Sequence, residues 1–213
     1  MLDSFISRKA CNSYILYNDN KEGVLVDPGF NSENRLIEHI KKIGVKIVAI
    51  LITHAHYDHI SAWEEVVNLF PDAVSYVSED EVELLENPKL NLSRFRDDGE
   101  SKILTYLPNR LVKLTDNEEI VVAGFKIRMI KTPFHTKGSA CFYVPSENIL
   151  FSGDTLFYTT IGRTDLPTGS TKSIESSLTK LKMLPLETKV YPGHGIATNL
   201  ERECKYNAYL RNI

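Results

Sequence analysis

Cysteine is scarce in this 213-residue chain, and Cys11, Cys141 and Cys204 are odd in number, widely spaced and never paired as CxxC. That argues against a disulfide framework; it predicts a reducing, cytoplasmic setting in which each thiol is a small packing residue. Long hydrophobic runs are also missing. No apolar stretch reaches the ~18 residues of a membrane span, and no charged leader precedes an apolar segment at the N-terminus, so neither a membrane association nor an export signal is expected. Charge of one sign is lacking too. A formal net charge of −3 gives no broad cationic face for a phosphate backbone, so nucleic acid is not an expected partner. Linkers, low-complexity tracts and short repeats are absent. Hydrophobic residues make 42% and charged residues 25%, ordinary globular usage, and the length suits one domain over residues 1–213 with a full core.

Histidine is rare as well, with six in the chain, yet three of them fall in the run His54-Ala55-His56-Tyr57-Asp58-His59. Composition alone would give H-x-H-x-D-H in roughly 2 of 10,000 such chains. A His-rich surface loop is the bland alternative, and polar loops rarely repeat ligand residues at this spacing. Imidazole and carboxylate together are the ligand set of zinc, iron and manganese sites. The run directly follows Val45–Ile52, an almost continuously apolar, β-branched stretch that reads as a strand buried on both faces.

Strands and helices alternate along the rest of the chain. Ser13–Tyr17 and Gly23–Val26 read as strands around an Asn-Asp-Asn turn, and Asp27-Pro28-Gly29 breaks the chain. Asn31 or Ser32 is placed to cap a helix carrying Leu36, Ile37, Ile40 and Ile43, stopped by Gly44. A helix is expected from about Ile60 to Leu69, a strand over Val74–Val77, and a capping box at Ser78-Glu79-Asp80-Glu81. Residues 87–102 read as irregular loop. Strands follow at Leu111–Leu114, Glu119–Val122, Phe125–Ile130, Ala140–Val144, Ile149–Phe151 and Val190–Tyr191. Ser173–Leu184 is an amphipathic helix, and 200–211 a closing helix. Two β-rich halves with helices outside predict a four-layer αββα sandwich of the α/β (α+β) class.

Three further loops each place one donor beside Gly or Pro at a strand end: Thr132-Pro133-Phe134-His135-Thr136, Ser152-Gly153-Asp154-Thr155 and Pro192-Gly193-His194-Gly195. Taken singly, His135 and His194 read equally as structural histidines and Asp154 as a turn aspartate. With the first run they make seven donors, too many for one tetrahedral zinc and suited to two adjacent divalent metals sharing a carboxylate.

These four motifs, in this order and approximate spacing, resemble the metallo-β-lactamase-fold superfamily over nearly the whole chain. The resemblance implies that His54, His56 and His135 hold one metal, that Asp58, His59 and His194 hold a second, and that Asp154 bridges them. Zinc is the expected metal, with iron and manganese acceptable to the same donors. Within that superfamily, Gly153-Asp154-Thr155-Leu156-Phe157, Ile161-Gly162-Arg163-Thr164-Asp165-Leu166-Pro167, Asn87-Pro88-Lys89-Leu90-Asn91-Leu92-Ser93 and Asn207-Ala208-Tyr209-Leu210 look like the small glyoxalase II-like hydrolases. The Gly-Arg-Thr-Asp segment has a counterpart in persulfide dioxygenases of the same fold and is expected to set the chain apart from β-lactamases proper. The implied function is a hydroxyacylglutathione hydrolase-like enzyme that cleaves small thioesters such as S-lactoylglutathione, with Asp58 also orienting the nucleophile. The alternatives are a mononuclear iron persulfide dioxygenase and a non-catalytic metal-binding scaffold.

Two departures from that pattern stand out. Phe134 replaces the glycine usual before the His135 ligand and is expected to reshape the pocket edge. Only residues 195–213 follow His194, whereas full-length glyoxalase II enzymes continue into a helical domain that helps to hold glutathione, which implies a weak grip on a thiol carrier. Lys137, Tyr158, Arg163 and Lys205 are the candidate substrate contacts. Three have a plainer reading: a solvated lysine at 137, wall or core at Tyr158, an Arg163–Asp165 ion pair beneath the site. His39 is read as no ligand, and Trp63 and Cys141 as packing residues.

Overall fold

The computed structural model describes residues 1–5, 11–29, 35–95 and 110–213. The proposed helix cap at Asn31 or Ser32 and the later part of the 87–102 loop lie outside them. A first sheet is built from β1 (Leu2–Phe5), β2 (Ser13–Tyr17), β3 (Glu22–Val26), β4 (Lys46–Ile52), β5 (Val74–Ser78) and β6 (Leu111–Leu114), neighbours in that order. β1 to β3 pair antiparallel; β3 to β6 are parallel. The second sheet runs β14 (Thr198–Asn199), β13 (Lys189–Pro192), β10 (Ile149–Gly153), β9 (Ala140–Val144), β8 (Phe125–Lys131) and β7 (Glu119–Val122), with β10 and β13 parallel. Helices α1 (Arg35–Ile43), α2 (Tyr57–Ile60), α3 (Trp63–Leu69) and α4 (Val82–Glu86) accompany the first sheet, and α5 (Ile174–Lys182), α6 (Leu200–Tyr206) and α7 (Ala208–Arg211) the second. A small hairpin, β11 (Leu156–Phe157) and β12 (Thr160–Ile161), follows β10.

Three apolar cores separate the four layers. Ile50 and Ile52 of β4 pack outward with Leu36, Ile40, Trp63 and Val66 of α1 and α3. Ala49 and Leu51 of the same strand face Ile127, Met129, Phe142 and Phe151 of the other sheet. Side chains alternate across a strand, so covering both faces demands the unbroken apolar run seen in the sequence. The third core joins Ile130, Leu150 and Val190 to Leu178 and Leu181 of α5 and Leu210 of α7. The αββα expectation holds. Among the described residues no helix is long and apolar enough to cross a membrane.

Four local readings change. The expected helix from Ile60 is two helices, α2 and α3, because the Ala62 N–H bonds to Pro28 O at 2.9 Å instead of continuing the α2 ladder. The closing helix breaks at Asn207. Its Oδ1 accepts from Tyr209 N at 3.1 Å, while its Nδ2 donates to Thr160 O, also at 3.1 Å. No capping box forms at Ser78, whose side chain makes no cap hydrogen bond. Phe134 does not edge a pocket: its ring is fully buried in the third core among Ile130, Leu178 and Leu181. A benzyl group there is a wedge between β8 and α5. Phe134→Ala should therefore cost about 3–5 kcal/mol of unfolding free energy, measured by urea denaturation of metal-free protein. A loss below about 1 kcal/mol, the size of a surface change, would mean that the wedge is dispensable.

Candidate metal centre

The ends of four strands deliver the seven donors to one place. β4 runs into His54 and His56, and α2 begins at once and carries Asp58 and His59. His135 follows β8, Asp154 follows β10 and His194 follows β13. Three groups of donor atoms lie within 4.8 Å of one another: His54–His56–His135, Asp58–His59–His194, and between them His54–His59–Asp154. The Asp154 carboxylate spans the set, with Oδ1 3.4 Å from His59 Nε2 and Oδ2 3.5 Å from His135 Nε2 and 3.6 Å from His194 Nε2. His194 Nε2 is also 3.2 Å from Asp58 Oδ2. Gly193 makes this approach possible, since a Cβ there would stand 2.3 Å from Asp154 Oδ1 and 2.6 Å from His59 Cε1.

The outer ring nitrogens are fixed by partners, and those partners dictate the tautomers. Thr53 Oγ1 donates to Asp27 Oδ2 at 2.7 Å, so its lone pair is free to accept from His54 Nδ1 at 3.2 Å. His59 Nδ1 donates to the same Asp27 oxygen at 2.9 Å, and His135 Nδ1 donates to Arg163 O at 2.8 Å. Each ring then turns its Nε2 inward. His54 Nε2, His56 Nε2, His59 Nε2 and Asp154 Oδ1 are buried without a hydrogen-bond partner. Buried polar atoms are ordinarily satisfied, and three of these orphans, on His54, His59 and Asp154, belong to one donor group, which fits a cation. His56 Nδ1 and His135 Nε2 are 3.0 Å apart, near the ~3.3 Å expected of two nitrogens on one tetrahedral zinc. The donor set therefore fits bound metal.

Asp27 was read from the sequence only as a chain break, and it is the residue that orients two of the imidazoles. Its signal was a carboxylate placed directly after a buried strand. Asn12 and Tyr14, also missed, hold the His194 loop: Asn12 Nδ2 donates to Pro192 O at 3.1 Å and Gly195 O at 2.9 Å, and Tyr14 Oη donates to Pro192 O at 2.7 Å. Tyr14 lies in β2 of the first sheet and Asn12 directly before it, and both reach across to the second sheet.

The four candidate substrate contacts lie outside the donor cluster. Lys137 pairs with Glu83 at the surface. Tyr158 lies under the Arg202 guanidinium, 3.6 Å from its ring centre, and Lys205 Nζ is 5.2 Å from the Tyr206 ring. Arg163 does pair with Asp165, with Nε 2.6 Å from Oδ1, but both side chains are more than 60% exposed, so the pair does not lie buried beneath the site. The main-chain oxygen of Arg163, not its guanidinium, meets the cluster. Arg163→Ala should leave the melting temperature unchanged, contrary to what a buried pair would give; a clear drop by calorimetry would restore the buried-pair reading.

Electrostatics divide the site. Burial, helped by neighbouring imidazoles, lowers His54, His56 and His135, His56 to about 3. Burial also opposes charge on His59 and His194, but neighbours outweigh it: Cys11, then Asp58, Asp154 and Asp27, raise His59, and the Asp58 hydrogen bond and Asp154 raise His194. Burial would raise Asp58 and Asp154, yet His59 and His194 hold both below the ordinary carboxylate range. Burial pushes the Cys11 thiol up to about 12 and Cys141 up to about 11, so no thiolate competes for metal.

A sequence model of the metallo-β-lactamase superfamily matches residues 6–194, and the chain belongs to that superfamily, a class of metal-dependent hydrolases. Two curated relatives are a probable metallo-hydrolase of Streptococcus pyogenes serotype M6, 36% identical over 93% of this chain and 84% of its own, and the hydroxyacylglutathione hydrolase GloC of Haemophilus influenzae, 30% identical over 94% and 93%. Among solved structures, the BLEG-1 B3 metallo-β-lactamase is 37% identical with a TM-score of 0.89 over 99% of both chains. TTHA1623 in a di-iron-bound form is 33% identical with a TM-score of 0.82 over 96% of this chain and 98% of its own.

The pKa asymmetry has a measurable consequence. Metal ligation needs neutral imidazole. His54, His56 and His135 are already neutral at pH 7, so metal entering that triad should release no proton from them. His59 and His194 are raised, so metal entering with Asp58 should release protons, and its affinity should climb as pH rises through their folded pKa values. In metal-free protein the lowered histidines make stability fall as pH drops below 6.5, and the raised pair make it fall as pH rises above 6.5. Calorimetric titration in buffers of different ionisation enthalpy reads the two steps; equal proton release in both would refute the asymmetry.

Proposed function

We propose that this chain is a binuclear metallohydrolase of small thioesters, of the hydroxyacylglutathione hydrolase type. His54, His56 and His135 would hold one metal, Asp58, His59 and His194 the other, and Asp154 would lie between. The observation that carries the reading is the pair of three-donor groups joined by a third that contains Asp154. Zinc is the favoured metal, and iron and manganese suit the same donors. The hydroxyacylglutathione hydrolase from Haemophilus influenzae supports the substrate class.

Bound divalent metals would lower the pKa of water toward neutrality and polarise a carbonyl. The chain's own part is positioning. Asp58 has one oxygen against His194 and a carboxylate 40% exposed at the mouth of the site, placed to orient an attacking water while serving as a ligand. His194 is likewise 40% exposed, so the Asp58–His194 side is where substrate reaches the cluster. A thiolate leaves without prior protonation. A β-lactam is a second reading, favoured by the 37% identity to BLEG-1. Its amine leaving group has to be protonated, a demand the thioester does not make.

Two metals per chain should be found by elemental analysis of the purified protein. His194→Ala should bring the count toward one and cut thioester hydrolysis by at least about 100-fold, since ligand loss removes both charge and nucleophile. Rates on S-lactoylglutathione, shorter lactoyl thioesters and a chromogenic cephalosporin rank the two readings. One metal with oxygen uptake on glutathione persulfide would overturn both in favour of a dioxygenase, and no turnover by the two-metal protein would leave a metal-binding scaffold.

A further inference from the structure

We propose that Glu81 is a positioning residue for the His54–His56–His135 metal triad, clamping the two loops that carry those histidines; the inference rests on the metal-site reading above. Glu81 Oε2 accepts the N–H of Ala55, the residue between His54 and His56, at 2.8 Å. Oε1 accepts the N–H of Gly138 at 2.9 Å and a short hydrogen bond from the hydroxyl of Thr136, the residue after His135. One carboxylate thus ties a loop of the first sheet to a loop of the second, on both sides of the point where His56 Nδ1 and His135 Nε2 stand 3.0 Å apart.

Several features make this a built device. Glu81 is fully buried. A carboxylate in that position needs strong compensation, and it is met by two main-chain donors and one hydroxyl. The neighbouring lysine does not compete for it, because Lys137 pairs with Glu83. Behind Thr136, Ser139 Oγ accepts from Thr136 N at 2.9 Å and lies 2.6 Å from Thr136 Oγ1. With the Thr136 proton committed to Glu81, Ser139 donates to Thr136, giving one ordered chain Ser139→Thr136→Glu81. Gly138 is part of the fit: a Cβ there would lie 2.7 Å from Glu81 N and 2.9 Å from Glu81 Cγ. The helix-capping role expected from Ser78-Glu79-Asp80-Glu81 is not performed, so the carboxylate serves the loops alone.

Ligand geometry tolerates only about 0.5 Å of error. Removing the clamp should therefore weaken one metal site and spare the other, whose ligands hang on Asp27, Asn12 and Tyr14. The test is titration of full-length wild type, Glu81→Gln and Glu81→Ala with Zn(II) against a chromophoric chelator, and with Co(II) by visible absorption, at a temperature where each variant is folded. Glu81→Ala should bind one of its two metals about 10–100-fold more weakly with an altered Co(II) spectrum, and Glu81→Gln, whose amide accepts at one oxygen only, should fall between. A lower melting temperature with both affinities and the Co(II) spectrum unaltered would mean that Glu81 is merely structural, and would overturn the proposal. If the Glu81 variants do not fold, Thr136→Val and Thr136→Ser decide. Weakened binding in the first with near wild-type binding in the second supports the clamp, and wild-type binding in both sinks it. A wild type that takes two metals but cleaves no thioester would sink the substrate reading and leave the clamp standing.

Discussion

Everything in this structure answers to one constraint: unshared lone pairs from two separate sheets must meet in a buried place without covalent help. Two imidazole nitrogens, of His54 and His59, and one carboxylate oxygen, of Asp154, have no hydrogen-bond partner there. Each such atom costs free energy when the chain folds without a cation, and gives it back when one binds. The fold accommodates that cost with rigid surroundings. β4 is sealed by apolar residues on both faces, so the loop it feeds starts from a fixed point, and α2 begins within three residues of His54. The metal-binding geometry is thus an extension of strand packing.

Three buried carboxylates hold the surroundings in place, each differently. Asp27 touches imidazole itself and selects the tautomer of His59 directly and of His54 through Thr53. Glu81 touches main chain and a hydroxyl. Glu203, fully buried, accepts from Thr159 N at 2.8 Å and from Asn207 Nδ2 at 3.1 Å, joining the β11–β12 hairpin to the break between α6 and α7. Polar networks of this kind are costly when incomplete and specific when complete. These three acids are satisfied by chain segments far apart in sequence.

That distance explains what could and could not be read in advance. The seven donors were legible because ligand chemistry restricts residue type and because His54, His56, Asp58 and His59 crowd into one loop. The four layers were legible because β4 shows no alternation while α5 shows a clear apolar stripe. Asp27 and Glu81 were not. An acid before Pro-Gly looks like a turn, and an acid three residues after Ser78 looks like a cap; both local readings are sound physics that tertiary partners override. Phe134 misled for a related reason, since a residue next to a ligand need not face it when the loop turns its ring into the core.

The same reasoning bears on why the two halves of the site differ. The His54–His56–His135 triad is deeply buried, its imidazoles are lowered toward the neutral form, and Glu81 bonds to the main chain of both loops that carry it. The Asp58–His59–His194 group keeps two members 40% exposed, with its imidazoles raised and its carboxylate lowered from their ordinary pKa values. A neutral, enclosed triad favours retention of a cation, because little must be displaced on binding. A charged, open group must shed protons to bind, which couples its occupancy to pH and leaves it in contact with solvent. Chemistry at a two-metal centre needs one side that holds still and one that admits water and substrate. In the two-metal centre proposed for this chain, burial would divide those tasks: the strands that end in apolar cores would supply the fixed side, and the loop that ends in Pro192-Gly193-His194-Gly195, tethered by Asn12 and Tyr14, the open one.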